Sequence, residues 1–204
     1  MKYRIINLIL LLMLIAGGWM WVQSYLSQGW GLFLPSDGAV LGTMNNVTVY
    51  AKNGPSHRGK YGLEFECVEL VNRAYVEKLG HKNMAKMGHA DSYFWEPFNK
   101  DLVANKNGGT IPPQMDDILV FDNGPEDGSV GHVGLITEVN VQEGIIHFVQ
   151  QNFVIHHKNH LFKKFLWQDS LHLRHDGLKW WVDVHSPYPW PVAGWSRQHL
   201  AKGN

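Results

Sequence analysis

Three kinds of side chain in this protein could together cleave an amide: a thiol, an imidazole and a side-chain amide. The chain has a single cysteine, Cys67, and 12 histidines. A thiol nucleophile needs a base within hydrogen-bond reach, and the base needs a third group that holds its tautomer. Cys67 lies near the start of residues 61–80, where Phe65, Val68, Val71, Tyr75 and Leu79 recur at helical spacing between Gly62 and Gly80. A cysteine in or beside the first turn meets unpaired N–H groups and the positive end of the helix dipole, which lowers a thiol pKa. From this helix alone a packed, inert thiol is an equally good reading, because free cysteines are among the most buried residues.

His132 is the histidine that best fits the base. It opens the run G-H-V-G-L-I-T-E-V at 131–139, which has strand character, and shares a face with Gly134 under strand periodicity. The missing side chain at Gly134 leaves room beside the imidazole for a helix end or a substrate backbone. On the next strand the same period aligns Ile146, Phe148, Gln150 and Asn152, so either amide could accept from the imidazole N–H. Taken singly, His132 reads more simply as a strand-end histidine bonded to backbone, and the two amides as turn chemistry. Their combination with Cys67 carries the catalytic reading.

The elements that must hold these residues follow in order. Residues 46–51 alternate and read as a strand, and Asn53-Gly54-Pro55-Ser56 turns the chain into the Cys67 helix. Residues 83–98 read as a second, less regular helical segment and residues 105–113 as a loop. Three short strands at 117–121, 131–139 and 145–151 imply an antiparallel meander, and two more are expected near 171–174 and 179–184. Helices followed by strands give an α+β domain in which helices pack against an antiparallel sheet.

Other constellations are weaker. His156, His157 and His160 form H-H-x-x-H, but adjacent residues of a strand face opposite ways and no carboxylate or thiol stands at ligand spacing, so a solvated loop is the better reading than a metal site. Asp122, Glu126 and Asp127 lack a full calcium-ligand pattern and read as a hairpin loop. Glu69 and Arg73, four apart, read as a surface ion pair, with Arg73 reaching a substrate carboxylate as the alternative. Trp180, Trp181, Trp190 and Trp195 read as core aromatics, with sugar stacking as the alternative. No cofactor and no metal is called for.

With 204 residues, 45% of them hydrophobic, the chain suits one domain and a short appendage. A formal net charge of zero and dispersed Lys and Arg argue against nucleic acid. Lys2 and Arg4 precede a long apolar run from Ile5 to Val22, followed by Tyr25, with Trp19 and Trp21 inside it. This predicts a membrane anchor through residues 5–22 with the N-terminus in the cytoplasm and the rest beyond the bacterial inner membrane. Secretion after cleavage near Ala16-Gly17-Gly18 is the alternative. The expected divisions are residues 1–22 for anchor or signal, 23–42 for a tether, 43–197 for the domain and 198–204 for a tail.

Four segments in order, E-C-V-E-L-V-N-R-A-Y (66–75), D-D-I-L-V-F (116–121), G-H-V-G-L-I-T-E-V (131–139) and V-Q-Q-N (149–152), resemble the CHAP amidohydrolase/peptidases. The likeness is strongest to the amidase domain of glutathionylspermidine synthetase/amidase, whose terminal motif G-W-S-R at 194–197 resembles. The resemblance runs from about residue 42 to residue 197. It implies a papain-like fold of the CHAP/NlpC type, Cys67 as nucleophile, His132 as base and Asn152 as a polar member of the site. Gln150 stands where that family usually has glutamate, which implies a weaker thiolate–imidazolium pair. The expected activity is amide hydrolysis through a thioester on Cys67. Peptidoglycan peptides are the expected substrate, with glutathionylspermidine-like γ-glutamyl conjugates, or an inactive binding module, as alternatives.

Overall fold

The computed structural model describes residues 2–198 apart from 83, 85, 87 and 159, and for residues 2–10 and 99 the backbone alone. Helix α1 (Lys2–Ser27) precedes a hairpin of β1 (Val40–Met44) and β2 (Val47–Tyr50). Asn45 and Asn46, both at positive φ, join these strands, as a two-residue turn of matching twist requires. A small hairpin, β3 (Arg58–Gly59) and β4 (Gly62–Leu63), feeds α2 (Cys67–Glu77). After α3 (Ser92–Trp95) and a 3-10 turn at Pro97–Lys100 come β5 (Leu102–Lys106), β6 (Ile118–Phe121), β7 (His132–Asn140) and β8 (Ile145–Gln150). The remaining strands are β9 (Val154–His156), β10 (Lys163–Phe165), β11 (Gln168–His175), β12 (Trp180–Asp183) and β13 (Val192–Gln198).

Seven strands form one antiparallel sheet in the order β12-β11-β8-β7-β6-β13-β5. The expected meander is β6, β7 and β8, and the expected tail strands are β11 and β12. Both sheet faces are covered. Ile118, Val120, Val133, Leu135 and Val149 pack with Leu70, Val71, Ala74 and Tyr75 of α2. Leu119, Phe121, Ile136 and Phe148 pack on the opposite face with Leu171, Leu173, Tyr188 and Trp195. This is why I-L-V-F at Ile118–Phe121 shows no polar alternation, since every position is buried. The architecture is α+β, with one substantial helix on a curled sheet.

Several local expectations change. Phe65 starts the apolar pattern but precedes α2 at φ 62, so the helix begins at Cys67 itself. Of the helical segment expected at 83–98, the described part contains only α3 and the 3-10 turn, and residues 83, 85 and 87 lie outside the described set. Asn105 and Lys106, expected in a loop, end β5, which pairs with β13 across Gly194↔Lys106 and Trp195↔Asn105. Trp195 is fully buried, whereas Trp180 stacks on His175 at 3.9 Å and Arg174 covers Trp181 at 4.3 Å.

The chain divides into two compact units, one of residues 1–34 and 154–164, the other of residues 35–153 and 165–204. In the first, Tyr25 stacks on Phe162 at 4.8 Å, His157 meets Tyr25 edge-on, and Gly31 bridges Lys163. His156 ends β9 rather than lying in a loop. Among the described residues no helix is long and apolar enough to cross a membrane. The first six positions of the expected anchor, 5–10, have side chains outside the described set.

Gly194 marks the tightest approach in the sheet. A Cβ there would lie 2.2 Å from the Asn105 carbonyl oxygen and 2.4 Å from Phe94 Cε2, and a backbone oxygen held in a ladder cannot give way. Gly194→Ala is expected to cost about 1–3 kcal/mol, the usual range for overpacking. The loss is read by denaturant unfolding, and an unchanged midpoint would refute the packing described here.

Candidate active site

Cys67 is the first residue of α2, after Glu66 at φ −78 and ψ 160. The N–H groups of Glu69 and Leu70 bond the Glu66 carbonyl, which leaves those of Cys67 and Val68 without helical partners. The N–H groups of Val133, Val68 and Cys67 favour the ionised thiol. Val133 follows His132 in β7, the strand against which α2 packs.

The His132 ring lies between Phe121 and Phe153, with centroids at 6.0 Å and 5.1 Å. Its Nε2 is 2.9 Å from Gln150 Oε1. The Gln150 amide nitrogen donates to the Leu166 carbonyl at 2.7 Å and to the Tyr188 hydroxyl at 2.8 Å. Those two bonds commit Oε1 to being the acceptor, so the imidazole carries its proton on Nε2 and its basic lone pair on Nδ1. Gln150 has no exposed surface, and all three of its polar hydrogen-bonding roles are filled inside the protein.

Asn152 does a different job. It adopts φ 58 and donates to Glu66 Oε2 at 2.6 Å, tying the end of β8 to the residue before Cys67. Gln151, between the two, accepts from the Tyr50 N–H and donates to the Glu66 carbonyl and to Glu69 Oε2. Arg73 is 2.7 Å from Glu69 and also donates to the Thr48 carbonyl, while its guanidinium lies 4.9 Å over the Tyr50 ring. This pair is largely covered rather than fully exposed, because α2 lies against β2. Arg73 thereby fastens the Cys67 helix. Gln151 and Tyr188 escaped the sequence analysis. The only clue to Gln151 was its place inside V-Q-Q-N, and Tyr188 is a contact across 38 residues that no local pattern reveals.

Gly134 also differs from expectation. A Cβ there would meet Phe148 at 2.7 Å and the Val149 carbonyl at 2.9 Å, so the gap admits an aromatic ring on the face opposite α2, not the helix end. Asp122, whose side chain was a candidate calcium ligand, accepts from the Trp95 indole, the Gly124 N–H and the Ser129 hydroxyl, and Asp127 accepts from the Ser129 N–H. Among the described residues no cluster of His, Cys, Asp and Glu has metal-holding geometry.

The electrostatics reverse one expectation. Burial pushes the Cys67 thiol up to about 11, against the pull of the three N–H groups, and the Glu66 carboxylate adds to the rise. Burial pushes His132 down to about 4, partly offset by the bond to Gln150. Both shifts favour the neutral forms, a thiol at Cys67 and an imidazole at His132. Titrating thiolate absorbance against a Cys67→Ala reference is expected to give a midpoint above the free-thiol value of about 8.5. Thiolate already present at neutral pH would overturn this reading.

Comparison with curated proteins yields no match. Residues 56–152, which hold Cys67, His132, Gln150 and Asn152, match the CHAP domain, in general a cysteine- and histidine-dependent amidohydrolase or peptidase module.

Proposed function

We propose that this protein hydrolyses amide or peptide bonds with Cys67 as nucleophile and His132 as general base and acid, in a papain-like arrangement of helix and sheet. The observation that carries the proposal is a histidine locked in a single tautomer at the start of β7, the strand against which the helix opened by Cys67 is packed. Because the resting pair is neutral, proton transfer accompanies attack. His132 Nδ1 takes the thiol proton as Sγ bonds the carbonyl carbon, and the carbonyl electron pair moves to oxygen, where the Cys67 and Val68 N–H groups hold it. The C–N bond then breaks as His132 returns the proton to the leaving amine. A water that gives its proton to His132 splits the thioester and restores the thiol.

The substrate in this reading is the peptide part of peptidoglycan, outside the inner membrane. Its support is the N-terminal helix: Leu11, Leu12, Met13, Leu14, Ile15, Trp19, Met20 and Trp21 are all exposed. Apolar residues exposed on every side of a helix are stable in lipid and costly in water. The native protein is expected in the membrane fraction, resistant to carbonate extraction. Full recovery in the soluble fraction at the full-length mass would rule the anchor out, and recovery at a reduced mass would indicate cleavage.

The activity is tested by incubating the full-length protein, in detergent, with purified peptidoglycan and separately with glutathionylspermidine, beside Cys67→Ala. New amine termini from peptidoglycan are expected, reduced about a thousandfold or more in the variant, as for loss of a nucleophile. Their rate should fall in acid only as His132 titrates, near its lowered value of about 4. Product from glutathionylspermidine alone would move the substrate to γ-glutamyl conjugates. Product from neither would leave a binding module.

A further inference from the structure

The contacts of Gln150 extend beyond the segment that matches the CHAP domain. Tyr188, which accepts from Gln150, donates in turn to Asp169 Oδ2 at 3.0 Å. A tyrosine hydroxyl has one proton, so giving it to Asp169 leaves only lone pairs for Gln150. Asp169 comes from β11 and Tyr188 from the segment between β12 and β13, so two elements remote in sequence meet behind the histidine. The Tyr188 ring is held by stacking on Phe121 at 4.8 Å and on Phe153 at 5.0 Å, the same two rings that enclose His132. Burial and the neighbouring Asp169 charge push the Tyr188 hydroxyl well above its ordinary range, which keeps it a donor at every working pH.

Asp169 has further partners at the end of this line. Its Oδ1 accepts from the Ser170 N–H at 2.8 Å, and His185 Nε2 lies 3.9 Å from Oδ2. Both ring nitrogens of His185 face carbonyl oxygens, of Ser186 and Ser170, an arrangement that favours the imidazolium and raises its pKa. A carboxylate, a hydroxyl, an amide and an imidazole therefore form one hydrogen-bonded line, with every donor pointing toward Asp169. In such a line each bond polarises the next, so the last acceptor, Gln150 Oε1, becomes more negative than in an isolated amide.

We infer that Tyr188 and Asp169 are positioning residues for His132, which make Gln150 a stronger acceptor for the imidazolium formed when the thiol proton is transferred. The role rests on the function proposed above. No proton travels along the line, since the amide neither gains nor loses one. The gain is electrostatic, largest when the ring is charged, and so acts on the transition state more than on substrate binding.

The test uses full-length protein and two isosteric changes, Tyr188→Phe, which keeps the ring stacking, and Asp169→Asn, which keeps the shape. One readout is the proton resonance of His132 Nε2–H, recorded with Cys67→Ala as background so that it does not depend on catalysis. It is expected to move upfield in both variants, further in Tyr188→Phe, as the bond to Gln150 weakens. The other readout is hydrolysis of purified peptidoglycan with Cys67 intact. There kcat is expected to fall about tenfold with KM unchanged, below the full worth of a general base. The double variant should be no worse than Tyr188→Phe, as for residues acting through one line. An unchanged Nε2–H resonance in both variants overturns the inference whatever the rates do. A moved resonance in a protein that cleaves nothing keeps the line and overturns the function instead.

Discussion

The structure depends on one buried amide. Gln150 has one acceptor and one two-proton donor group, and the protein assigns each: the acceptor to His132, the donors to Leu166 and Tyr188. An amide is nearly symmetric in shape, so packing alone would not choose between its two orientations. The Leu166 carbonyl chooses, because it can only accept. From that choice follow the Nε2–H tautomer of His132 and a lone pair on Nδ1. A buried polar group left unpaired costs about 1–3 kcal/mol, so each of these contacts resists rearrangement.

A second set of bonds serves the helix that Cys67 opens. Cys67 lies at the end of a helix that must be held against the ends of β7 and β8, where strand pairing has stopped and backbone groups would otherwise be orphaned. Gln151 and Asn152, the two residues after β8, reach across to Glu66 and Glu69, and Arg73 joins Glu69 to β2. The sequence V-Q-Q-N therefore divides its labour: the first amide orients His132, the second and third dock the helix. Side chains that look interchangeable in sequence face different ways because strand pairing ends at Gln150 and Asn152 turns the chain at positive φ.

What could be read from the chain alone is what local rules govern. The α2 helix and the β6-β7-β8 meander follow from periodicity within a few residues; the same periodicity offered Gln150 and Asn152 alike to His132, and the turn at Asn152 makes the choice. The edge strands β1 and β5 lack a strong pattern, and β13 is hidden by the glycine and prolines around it, so their places are set by tertiary pairing. The buried state of the Glu69–Arg73 pair was illegible for the same reason, since helical spacing gives the pair but not the surface that covers it. On the thiol a helix start and burial act in opposite senses. Sequence shows the first, and only the fold shows that the second is larger.

The neutral resting pair and the amide at position 150 are two aspects of one choice. A glutamate there would bring a carboxylate oxygen against the Leu166 carbonyl, an acceptor–acceptor contact in a site without exposed surface, and would compete with Asp169 for the Tyr188 proton. The surroundings of position 150 are thus built for a donor, and negative charge can enter only where a donor line can end, at the partly exposed Asp169. In the proposed mechanism an ion pair between Cys67 and His132 is then not a stored state but one formed in passing, when the substrate carbonyl is present to receive the electrons.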